Sequence, residues 1–153
     1  MNTLTYLLSI ISVFLGLIVG WILSKLAKEE LKPGRIYFLI AGKILMFSAF
    51  AVFIYSLNLN MLLFSLLVLV TLALSVFVRI EPYMAYPIVG FMLYFAYLKN
   101  SHLFFIIAAA CFAYGLPSAM LMASDKIKIK RMIVQNIGFF ITALFPLLIK
   151  AFF

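Results

Sequence analysis

Acidic residues are scarce in this chain: four Asp and Glu stand against twelve Lys and Arg in 153 residues. Glu29, Glu30, Glu81 and Asp125 all lie in short polar breaks, and none falls inside a long apolar run. Proton relays in membrane pumps use intramembrane carboxylates or histidines, so coupling to protons or sodium through a buried carboxylate is not expected. Paired-carboxylate acid–base chemistry and intramembrane metal hydrolysis lack their residues as well. The one cysteine, Cys111, excludes an internal disulfide, and the one histidine, His102, excludes a His-based metal site or a bis-histidine haem. No catalytic residue, metal ligand or cofactor is assigned.

Charge of either sign is also sparse. Only 10% of residues are charged and 68% are hydrophobic, whereas soluble domains are roughly 25% charged and 45–50% apolar. Mean hydropathy is +1.27. So few charges cannot cover a soluble globule, which excludes a soluble enzyme, a disordered chain and a secreted disulfide scaffold.

The remaining class is an all-α membrane protein. A bilayer core about 30 Å thick needs roughly 20 mostly apolar residues per helix. Six segments approach this, at 4–23, 36–56, 61–78, 83–98, 103–123 and 132–153. Polar breaks separate them: 25–35 with Pro33-Gly34, Asn58 and Asn60, Arg79 to Pro82, Lys99 to His102, and Asp125 to Arg131. The connections leave no room for a soluble domain, so residues 1–153 are expected to form one bundle of about six transmembrane helices. The fourth segment is the weakest, short and carrying Pro87 and Gly90; a re-entrant segment is its alternative. The first run has no basic residue before it and is long for a signal-peptide core, so a retained first span is expected.

With six spans, Lys25, Lys28, Lys32, Arg35, Arg79, Lys126, Lys128, Lys130 and Arg131 share one side, against Lys99 and Lys150 on the other. Cytoplasmic loops carry the excess of Lys and Arg. Both termini are therefore expected outside, in a multi-pass protein of the cell membrane. His102 then sits at the outer interface and Asp125 inside, which separates the members of any Ser-His-Asp arrangement.

Lys43 is the only charge well inside a span, about 12 Å along the helix from Arg35. Either its stem lets the ammonium snorkel to the headgroups, or it is a functional cation in a polar cavity. Gln135 and Asn136 lie at similar depth in the last span, Tyr86 adjoins Pro87, and Ser118 follows Pro117. Lys43, Tyr86, Ser118, Gln135 and Asn136 together make a candidate substrate site in the cytoplasmic half, with Pro117 kinking the fifth helix. Their alternative role is glue between helices. Gly16 and Gly20 form a small-xxx-small pattern for close helix packing, within the chain or between copies. Tyr6, Tyr55 and Tyr97 suit the outer interface, and Trp21 and Tyr37 the inner one.

Two function classes follow. One is a transporter or channel-like protein for a small or anionic solute or a lipid. The other is a non-catalytic subunit or assembly factor of a membrane complex. An integral enzyme is the least favoured. Membrane lipids are expected partners, with anionic headgroups at the basic loops, along with a homo-oligomer or a membrane-protein partner. Nucleic acid is not expected.

Overall fold

The computed structural model describes residues 3–77, 82–99 and 101–152. Every regular element among them is helical: α1 Thr3–Leu26, α2 Arg35–Ser56, α3 Met61–Phe77, α4 Pro82–Lys99, α5 Ser101–Ser124, α6 Ile129–Gln135 and α7 Ile137–Phe152. Thr3–Leu26, Arg35–Ser56 and His102–Ser124 are long and apolar enough to cross a membrane. Met61–Leu74 and Met84–Lys99 are apolar but shorter. The expected turn at Arg79 to Glu81 and Asn100 of the Lys99–His102 turn lie outside the described residues.

Local chemistry sets the helix ends. Pro33 cannot continue a helix from α1, and 27–34 coils through successive turns, with Gly34 N–H donating to the Glu30 carbonyl at 2.8 Å. After α2, Asn58 takes a left-handed φ of 52°, which Asn tolerates better than most side chains. Asn60 Oδ1 then accepts the Leu63 N–H at 3.1 Å, capping the start of α3. At the end of α5, Ile127 N–H donates to the Met122 carbonyl and Lys126 N–H to the Ala123 carbonyl, each at 3.0 Å. That crossed pair is a Schellman motif, whose left-handed position usually holds Gly. Here Lys126 occupies it, at φ 59°.

The core is a set of seams. In α1, Tyr6, Ile10, Val13, Leu17, Gly20 and Ser24 are buried, a repeat alternating four and three residues that keeps one face on a neighbour. In α5, Phe104, Ile107, Cys111, Tyr114, Ser118 and Met122 repeat the pattern. These two helices pack on each other most extensively, α2 and α4 also pack on α5, and α7 packs on α4. Among the described residues, α3 packs over several residues only on α2. Its outward Leu62 is 81% exposed and its Leu69 64%.

Side-chain contacts define the two ends of the bundle. Arg35 Nη2 and Asp125 Oδ1 pair at 2.9 Å, joining the loop after α1 to the turn after α5. At the opposite end Lys99 Nζ donates to the Leu57 carbonyl at 3.3 Å, and the Tyr6 ring meets Tyr97 at 4.5 Å and Phe104 at 5.9 Å. Tyr6 therefore departs from its expected interfacial place. It is fully buried, and its hydroxyl donates to the Ala143 carbonyl of α7 at 2.8 Å. Bonding to another helix gives this hydroxyl a partner where water does not reach. Tyr55, in contrast, is well exposed.

Candidate functional site

The last segment differs from its sequence reading. An uninterrupted helix from 132 was expected, but α6 begins at Ile129 and the helix breaks at Asn136. Asn136 sits at φ −99°, ψ 9°, between the helical and extended basins. Its side chain bonds back to the preceding turn: Nδ2 donates to the Met132 carbonyl at 2.7 Å, sharing that acceptor with the Asn136 N–H at 3.2 Å, the local bonding that makes Asn a poor helix-interior residue. Gly138, a poor helix former, follows two residues later. The α7 turn restarts with Phe139 N–H on the Asn136 carbonyl at 3.0 Å.

Asn136 is completely buried. Nδ2 also lies 3.8 Å from Met122 Sδ on α5, while Oδ1 has no hydrogen-bond partner. The Met132 bond fixes the orientation of this amide, because exchanging its two atoms would set oxygen against the Met132 carbonyl. Gln135 Oε1 and Tyr86 Oη are likewise buried and unpartnered. These three oxygens belong to three residues of the candidate site. An unmade hydrogen bond at a buried polar atom costs on the order of 1–3 kcal/mol, and two of these atoms, on Gln135 and Asn136, stand at the helix break.

Tyr86 reaches from α4 towards the crossing of α1 and α5. Its ring lies 5.8 Å from Tyr114 and 5.9 Å from Phe139, and its hydroxyl would stand 2.9 Å from a β-carbon at Gly115. Helix α4 approaches α7 through two further glycines: a β-carbon at Gly138 would meet Pro87 Cγ at 3.0 Å, and one at Gly90 the Phe139 carbonyl oxygen at 2.6 Å. Phe139 is thus a neighbour shared by the Tyr86 ring, Gly90 and the Asn136 carbonyl.

Ser118 is buried, but its hydroxyl donates to the Tyr114 carbonyl one turn back at 2.8 Å. Pro117 is buried within α5, which continues as one helix from Ser101 to Ser124. Lys43 is half-buried on α2, beside Gly42, whose own neighbours are Tyr114 and Pro117. Helix α2 packs over several residues on α3, α4 and α5, and not on α6 or α7 among the described residues. Gln135 and Asn136 therefore sit together at the break with Tyr86 packed on nearby Phe139, while Lys43 and Ser118 lie on the other side of the site, around Tyr114.

Gly16 and Gly20 face α5 within the chain. A β-carbon at Gly16 would run into the Phe112 carbonyl oxygen, and one at Gly20 would stand 2.5 Å from the Leu116 carbonyl oxygen. Gly115 answers from α5, where a β-carbon would stand 2.8 Å from Leu17 N. At the end marked by the Arg35–Asp125 pair, the basic side chains of 25–35 and 126–131 are all exposed, and Lys25 Nζ lies 4.8 Å over the Trp21 ring. No group of His, Cys, Asp or Glu that could hold a metal occurs among the described residues.

The sequence reading missed the break itself, the seating of Gly90 and Gly138 between α4 and α7, and the Tyr6–Ala143 bond. Asn136 followed so closely by Gly138 was the available signal for the first. The chain matches no protein family, no curated protein and no solved structure.

Proposed function

We propose that this chain crosses the cell membrane six times, with both termini outside and the basic loops in the cytoplasm. In that frame it carries a small solute or a lipid through a site in the cytoplasmic half of the bundle. One observation supports the reading above others: the unpartnered buried oxygens of Gln135 and Asn136 stand at the break of a discontinuous helix. Interrupted membrane helices with irregular backbone recur where transporters bind their cargo, because such backbone is tolerated only when buried in protein or lining a cavity. The split of Lys and Arg between loops supports the orientation. Anionic lipid headgroups are the proposed neighbours of the exposed basic loops.

A second reading is a non-catalytic subunit or assembly factor. It is favoured by α3, which among the described residues packs over several residues only on α2 and turns Leu62, Leu66 and Leu69 outward. A partner helix or a homo-oligomer would cover that face as lipid does.

Purification in mild detergent followed by reconstitution separates the two readings. The transport reading expects a chain that purifies without a fixed partner and speeds equilibration of small polar solutes across liposomes. Stoichiometric co-purification with another membrane protein, without any such acceleration, would favour the subunit. For orientation, cysteines replacing Lys28 and Lys128 are expected to resist impermeant thiol reagents added outside intact cells. Labelling from outside would reverse the assignment.

A further inference from the structure

Resting on the transport reading, the chemistry of the break narrows what its site can take. Its unpartnered groups, Asn136 Oδ1 and Gln135 Oε1, are amide carbonyls, which accept hydrogen bonds and never donate them. The Asn136 Nδ2 group faces the Met132 carbonyl at 2.7 Å and Met122 Sδ at 3.8 Å. An anion brought to the break would face Asn136 Oδ1, whose partial negative charge repels it. A cation would have to pass the exposed Lys128, Lys130 and Arg131 at the start of the same segment, whose summed field disfavours it. No Asp or Glu is buried among the described residues to offset that field. The surroundings of Asn136, with Met122, Met132 and Phe139 all buried, are otherwise apolar.

We propose that the break at Asn136 binds an uncharged small molecule through its N–H or O–H groups, with Asn136 Oδ1 and Gln135 Oε1 as acceptors. The ligand is thus neither an anionic solute nor a lipid phosphate.

Acetamide and acetate test this directly, since they match in shape and differ in an amide N–H pair against a negative oxygen. Saturation-transfer NMR on the full chain in lipid nanodiscs, at a pH well above the carboxylate range so that acetate is ionised, compares them. The expected result is transfer to acetamide and none to acetate beyond that of empty nanodiscs. Asn136→Leu should cut the acetamide signal by about fivefold, the equivalent of one hydrogen bond, and Gln135→Leu should weaken it too. Gln135 is only partly buried, so its variant carries the test if Asn136→Leu does not fold. Transfer to acetate equal to or above that to acetamide would overturn the proposal. So would an acetamide signal no larger than in empty nanodiscs, or one that both variants leave unchanged. Acetamide binding without solute flux in liposomes would contradict the transport reading alone and leave the acceptor site standing.

Discussion

Glycines close two helix contacts in this bundle, and the contacts differ in what they leave unsatisfied. At the α1–α5 crossing, Gly16 and Gly20 meet Phe112 and Leu116 while Gly115 meets Leu17. Both helices run unbroken for 24 residues. Buried Ser24 and Ser118 there return their hydroxyls to carbonyls of their own helices, at 2.6 and 2.8 Å. At the contact of α4 with α7, Gly90 and Gly138 allow a similar approach, yet the segment leading into α7 is split at Asn136, where the buried side-chain oxygens of Gln135 and Asn136 lack partners. Close packing alone does not require a break, since α1 and α5 do without one. The difference marks the first contact as scaffold and the second as the place where polar capacity has been kept free.

Breaking the scaffold contact has the largest expected effect. Gly16→Leu puts a side chain against the Phe112 backbone, which cannot swing aside as a flexible side chain would. We expect a loss of about 3 kcal/mol or more, measured by denaturation in mixed micelles. A substitution on outward α3, Leu69→Ala for instance, should change stability by only a few tenths of a kcal/mol, because Leu69 is 64% exposed.

A smaller effect sharpens the comparison where the two contacts are tied together. Tyr6 on α1 donates to Ala143 on α7, so Tyr6→Phe removes one hydrogen bond between them. The expected cost is about 1 kcal/mol. Lys126→Gly works in the opposite sense and at similar size. Relieving a left-handed Lys at φ 59° should stabilise the turn into α6 by about 1 kcal/mol, seen as a raised melting temperature. An unchanged midpoint would show that this turn stores no strain.

Much of the scaffold was legible in the sequence. Apolar runs bounded by Pro33-Gly34, Asn60 and Asp125-Lys126 marked helix ends, because turn chemistry there is local. The small-xxx-small spacing of Gly16 and Gly20 pointed to close packing, although sequence alone left open whether the partner was this chain or another copy. The break at Asn136 was hidden because it goes with a side chain bonding back to the preceding turn, at the Met132 carbonyl, and an apolar run such as 132–153 does not report that local bond. Tyr6 was misplaced for a related reason: an aromatic near a helix end suits an interface until a carbonyl from a distant helix, here Ala143, comes within reach. Lys43 was grouped with Asn136 by depth, but α2 packs over several residues on α3, α4 and α5 and not on α6 or α7 among the described residues. Depth is one coordinate, and α2 faces Tyr114 and Pro117 across α5.

On the transport reading the polar break, unlike the glycine crossing, serves function and not stability. Asn136→Leu tests it most directly, with thermal stability and acetamide equilibration in proteoliposomes measured on the same preparation. Replacing an amide that leaves one buried atom unpaired with an apolar group of similar size should shift stability by less than about 1 kcal/mol in either direction. Equilibration should meanwhile slow by about fivefold or more. A variant that equilibrates acetamide as fast as the unmodified chain would contradict the claim, as would one whose stability falls as far as that of Gly16→Leu.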